Sequence, residues 1–224
     1  MSDEWVGRDP DIKSPYYPFR KAIDANTIAG VERLPYVLTK YLMDMPLPGY
    51  TPPSDNRFPR ARLKKLLYWD DALPLDKPLP TPAQMLSIQF DPYRPGTAAD
   101  AERGYRIYQQ ELVQQAQAVA KTILRVYLGS LNRVQEKNEF IFRQTVIYTV
   151  MCHYDLEANL GMAANSRSYA IVQAIIEATE GVNFGGIGGM VTHQITKFDD
   201  ERTNTGYKIY QTIDWHGSGI NPAY

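Results

Sequence analysis

The chain has 224 residues, of which 44% are apolar and 22% charged, with a formal net charge of −1; this is the composition of a folded protein, not of a disordered one or a polycation. The balance of charge excludes bulk attraction to nucleic acid, and a single cysteine, Cys152, excludes an internal disulfide framework and a cysteine-rich zinc site. The polar start Met1-Ser2-Asp3-Glu4 lacks the basic and apolar regions of a secretory signal, and no apolar run approaches the roughly 18 residues of a membrane helix, so a chain that stays in a reducing compartment is expected.

Fifteen of the sixteen prolines fall between Pro10 and Pro95, which divides the chain near Gly96. Proline fixes φ, removes a backbone donor and pushes its predecessor toward extended geometry, so Pro46–Pro59 and Pro74–Pro82 read as arm or loop. Between such stretches, Ile28, Val31, Leu34, Val37, Leu38 and Tyr41 are spaced for a helix over Asp24–Asp44, with Pro35 expected to kink or split it. Leu63–Trp69 and Met85–Phe90 read as short strands. Tyr16, Tyr17, Phe19, Tyr36, Tyr41, Tyr50, Phe58, Tyr68 and Trp69 are too many aromatics for a disordered tail. Residues 1–96 are therefore expected to form an ordered, extended, Pro-rich arm lying over its own domain or a neighbouring subunit; loops of one unbroken domain are the alternative.

From residue 97 to 224 the pattern predicts a compact α+β domain. Ala98–Ala120 is rich in Ala, Gln and Glu and reads as an amphipathic helix. Thr122–Leu128 is β-branched and apolar, a strand ending before Gly129. In Phe140–Tyr154, Phe142, Val146, Tyr148, Val150 and Cys152 largely alternate with Arg143, Thr145, Thr149 and His153, a strand with one core face. Asn165 and Ser166 can cap a helix carrying Val172, Ile175, Ile176 and Thr179 and ending at Gly181. Met190–Phe198 and Gly206–Trp215 form a long C-terminal β-hairpin around the polar tip Asp199–Asn204. The fold class that results is α+β: a small mixed or antiparallel sheet with flanking helices.

Candidate chemistry is sparse. Cys152 and His153 are neighbours on a strand and point to opposite faces, so they cannot exchange a proton directly. His193 and His216 complete no metal-binding spacing. Gly185–Gly189 lies between a helix and a strand with no Lys-Ser/Thr after it, so a tight connection with close backbone approach is expected there, not a phosphate cradle. Asp199, Asp200 and Glu201 lack the spacing of a calcium loop. No enzyme activity, cofactor or metal is expected. Two features suit contacts instead. Arg57, Arg60, Arg62, Lys64 and Lys65 form a basic run that could be a solvated face, a protein contact or a nucleic-acid patch. Phe184, Tyr207 and Trp215 place large rings on or beside the hairpin, where aromatics beside polar residues suit an interface.

The succession of Thr122–Gly129, Phe142–Val150, Ser168–Ile176, Gly186–Gly189 and Gly206–Tyr210 resembles the tail-terminator and head–tail joining (neck) proteins of tailed bacteriophages. The resemblance covers roughly residues 98–217. It implies a structural virion protein that forms a homo-oligomeric ring, hexameric with a dodecamer as the alternative, made in the host cytoplasm and placed at the neck. Its partners would be the tail-tube protein and neck or portal-side proteins, with DNA passing through the lumen without sequence-specific binding. A neck stopper or baseplate component is the nearest alternative, and a nucleic-acid-binding module using residues 57–65 is one of a different class. The long segment before residue 97 departs from compact members of that family and is expected to clasp a neighbour.

Overall fold

A computed structural model of the chain describes residues 31–44, 58–71, 73–81, 106–109, 121–134, 141–157, 166–200 and 203–216. Two N-terminal helices, α1 (Leu34–Leu42) and α2 (Phe58–Tyr68), precede a 3-10 turn at Pro74–Asp76 and a two-residue strand β1 (Ile107–Tyr108). There follow β2 (Thr122–Arg133), β3 (Ile141–His153), a one-turn helix α3 (Tyr154–Glu157), α4 (Arg167–Thr179), β4 (Ile187–Asp200) and β5 (Asn204–His216). The five strands make one mixed sheet in the order β1-β2-β3-β5-β4, parallel only between β1 and β2. This is the expected α+β class, with helices on one face and the long hairpin at one edge.

Alternation places Leu124 and Val126 of β2, Val146, Tyr148 and Val150 of β3, and Ile209 and Ile213 of β5 on one face. Against it pack Ile171, Ala174 and Ile175 of α4, Leu63, Leu66 and Leu67 of α2, and Leu34 and Leu38 of α1, in a single core. Burying each such Leu or Ile contributes about 1.5–3 kcal/mol. α4 begins as its sequence dictates: Ser166 has extended backbone and its hydroxyl accepts from the Tyr169 amide at 3.4 Å, while Gly181 takes the left-handed φ of 73° beyond the last turn.

Three expectations are corrected. Leu63–Trp69 is not a strand: most of it lies in α2, because Leu63, Leu66 and Leu67 share one helical stripe among Ala, Arg and Lys, all good helix formers. Of the kink or split expected at Pro35, no kink occurs within α1: the helix starts at Leu34 after the turn at residues 32–33, with Pro35 in its first turn, where a missing backbone donor costs no hydrogen bond. Of the helix expected over Ala98–Ala120, the described Ile107–Tyr108 form β1 instead, paired with Leu124–Arg125; residues 98–105 and 110–120 lie outside the described residues, as does Met85–Phe90. α1 and α2, within residues 31–44 and 58–71, share the core of the C-terminal sheet.

Candidate interaction surface

Each sequence-selected residue with side-chain detail has a definite place. Arg60 and Lys64, one turn apart on α2, are buried and both meet Asp44, with Arg60 Nη1 3.0 Å from Oδ1 and Lys64 Nζ donating to Oδ2 at 2.7 Å. Arg60 also lies over the Tyr41 ring at 4.5 Å. Arg62 donates to Glu177 at 2.8 Å and Lys65 Nζ to the Leu75 carbonyl at 2.8 Å. Arg57 lies outside the described residues. The described part of the basic run thus bonds within the fold and, through Asp44 and Glu177, ties α2 to the end of α1 and to α4. Phe184 is fully buried, edge-to-face with Tyr41 at 5.2 Å, and Trp215 is buried opposite Phe142, so both serve the core of this chain. Both were expected at an interface; within this chain α1 supplies a cover for Phe184 that the hairpin sequence alone does not reveal. Tyr207 stays half-buried and stacks edge-on against the exposed Tyr169 at 5.7 Å.

Cys152 is buried with its thiol 3.5 Å from Thr122 Oγ1, and burial pushes the thiol pKa up to about 12, the opposite of what a nucleophile needs. His153 accepts at Nδ1 from the Asp155 amide. Among the described residues no group of three His, Cys, Asp or Glu converges to hold a metal. No helix among them is long and apolar enough to cross a membrane.

A residue that composition does not mark holds the helical layer. Arg167, at the first position of α4, is fully buried, and its guanidinium donates to the carbonyls of Leu66, Trp69, Asp71 and Leu156 at 3.2, 2.6, 2.6 and 3.2 Å. Three of these carbonyls belong to the end of α2 and the segment after it, where orphan acceptors and the negative end of the helix dipole favour a cation.

The glycine-rich connection to β4 makes close backbone packing possible. A Cβ on Gly186 would stand 2.4 Å from the Asp214 carbonyl oxygen, and one on Gly189 would stand 2.3 Å from that of Gly181. Only glycine fits there. The turn after α4 then closes the first part of β4's outer edge: Gly181 N donates to Met190 O at 2.8 Å, Met190 N to Val182 O at 2.9 Å, and Thr192 N to Glu180 Oε2 at 3.0 Å. Gln211, buried beneath, donates to Thr179 and Thr192 hydroxyls at 2.8 and 2.9 Å.

Beyond Thr192 the strand carries a run of exposed side chains. A register shift at His193 separates the clasped half from a regular ladder running from Gln194–Tyr210 to Asp200–Asn204. His193, Gln194 and Ile195 are all exposed, Ile195 by 42% and Val191 before them by 46%. At the opposite rim, among the described residues β1 pairs with Leu124–Arg125 of β2, and Ser130, Leu131, Asn132 and Arg133 are exposed in succession, Leu131 by 40%. The sequence reading stopped β2 at Gly129; the strand continues through a bulge held by Gln144, whose amide donates to the Gly129 carbonyl at 3.3 Å. The available signal was Leu131, an apolar residue standing two places beyond the glycine.

A search of curated proteins finds no match to the chain. A family model named YomW matches residues 61–213, about two thirds of its length. The chain belongs to the YomW family. That name is phage-derived, and the matched span begins inside α2 and ends in β5, crossing the proline boundary and keeping α2 together with the sheet.

Proposed function

We propose that the YomW-family chain is a phage-encoded structural protein that forms a ring, acting as a tail terminator or head–tail joining component that caps the tail tube and meets the neck. The observation that carries this reading is the C-terminal hairpin, whose first strand, β4, presents an exposed, regular stretch of sheet edge bearing Ile195, in a family with a phage-derived name. Such an edge is a template for another strand, and a structural ring needs repeated backbone contacts of that type. The succession of β2, β3, α4 and the β4–β5 hairpin, with the Gly-Ile-Gly turn ahead of it, supports the same reading.

The nucleic-acid reading of residues 57–65 lacks this support. Arg60 and Lys64 are buried on one carboxylate, and the other two described cations have protein partners. The deciding experiment images purified full-length protein mixed with the tail-tube protein of the same phage by negative stain. Rings seated on tube ends, with tube length limited by added protein, are the expected result. A protein that never binds tube ends overturns the proposal.

A further inference from the structure

The strand order leaves β4 at one rim of the sheet and, past the two residues of β1, β2 at the other. The β2/β3, β3/β5 and β5/β4 pairs are all antiparallel, so β4 runs opposite to β2. Copies set side by side in the same orientation therefore bring β4 of one against β2 of the next in the antiparallel sense, continuing the alternation of the sheet. We infer that these two rims are the two halves of one contact, in which the β4 stretch around Ile195 adds to the β2 extension Ser130–Arg133 of a second copy. This rests on the ring-forming reading and specifies the surfaces that would build the ring.

Three observations converge on this pairing. Both stretches are exposed, and sheet-edge amides and carbonyls are best satisfied by another strand, so a strand is the partner their chemistry selects. Side-chain faces agree: Ile195 stands opposite Ile209, and Leu131 opposite Gln144, on the face that carries Val146 and Tyr148, so both exposed aliphatics lie on the helix side. A junction with correct alternation can therefore set one beside the other.

The stagger also fits. Through Ile209 and Tyr148, Ile195 is level with Val126, whereas Leu131 is level with Gln144, farther along β3. Aligning Ile195 with the next copy's Leu131 offsets neighbours by about four residues across four strands, roughly 14 Å against 19 Å, which tilts the strands by roughly 35°, a value found in closed sheets. A contact between two different surfaces builds a ring when the rotation closes; a two-fold dimer would instead join β4 to β4.

The test uses full-length protein and light scattering coupled to gel filtration. Wild type should form a closed oligomer larger than a dimer, while Ile195→Asp and Leu131→Asp should each be a monomer that still melts cooperatively as a folded chain. Each variant keeps one intact rim, so an equimolar mixture should form a heterodimer and stop there. Lysine replaces aspartate at either site if melting shows that the aspartate variant is unfolded. A wild-type monomer at its highest soluble concentration, oligomers that survive both substitutions, or a Leu131→Asp dimer that only Ile195→Asp disrupts would each overturn the inference. Binding to tube ends is scored separately, so rings that ignore tubes would refute the proposed function and leave this contact standing.

Discussion

The helix-covered face of the sheet and the β4 edge draw on similar residues and put them to opposite uses. On the covered face, cations are buried and bonded: Arg167 serves four carbonyls, and Arg60 and Lys64 share Asp44. At the edge, aliphatic side chains stay exposed at Val191 and Ile195. A buried cation with fixed partners ties segments of one chain together, since removing either partner strands the other in low dielectric. An exposed Ile on a strand edge adds little to the stability of its own chain and is available to a second one. Substitutions on the covered face should therefore register in unfolding, and those at the edge in association.

The largest effect is expected at Arg167. Arg167→Ala leaves four buried or half-buried carbonyls without their donor and separates α4 from the end of α2, for a loss of about 3–5 kcal/mol in urea unfolding. A midpoint within 1 kcal/mol of wild type would show that the helical layer does not depend on it. Next comes Asp44→Ala, which leaves Arg60 and Lys64 facing each other without a counter-charge, at a cost of about 3 kcal/mol. Because Asp44 adopts a left-handed φ of 52°, Asp44→Asn is the informative control: it suits that backbone and removes only the charge.

Cys152 offers a test by pH. Its folded thiol pKa is raised from 9.0 to about 12, chiefly by burial, so the unfolded chain releases its proton first. The stabilisation is complete below the unfolded value and is lost as pH rises from about 9 toward 12. Alkaline unfolding of wild type should be steeper than that of Cys152→Ala across this window, and the native thiol should resist alkylation until the protein unfolds. Ser166→Ala removes the α4 cap, for about 1 kcal/mol, measurable as a lower melting temperature. The smallest effect belongs to the edge: added to the monomeric Leu131→Asp variant, so that loss of the ring does not enter, Ile195→Asp should shift unfolding by less than about 0.5 kcal/mol, and a larger loss would move Ile195 from the contact surface to the covered core.

Much of the C-terminal half was legible in the sequence because its signals are local. Alternation marked β3, Ser166 and Gly181 bracketed α4, and the polar tip between two β-rich runs marked the hairpin. The misread elements are those where short-range pattern is ambiguous or a distant partner decides. The seven residues Leu63–Trp69, five apolar and two lysines, fit either period, and the Arg60–Lys64 spacing that favours helix gains meaning only when Asp44 is placed beside it. Phe184 looked like an interface ring until Tyr41, far away in sequence, covered it. The exposed rims were not legible either, because exposure is a property of what fails to pack against a strand.

Composition and pattern by themselves determined the α+β class, the single thiol without a disulfide partner, the capped α4 and the long hairpin, since each follows from residues close together in the chain. Tertiary structure alone decided that α1 and α2 join the sheet's core, that Arg60 and Lys64 of the basic run are buried, and that Arg167 holds the helical layer. Those outcomes depend on contacts between segments a hundred or more residues apart, such as Arg167 with Leu66 and Tyr41 with Ala178. The open stretches of β2 and β4 belong to the same class, because a strand order can be seen only when the strands are assembled.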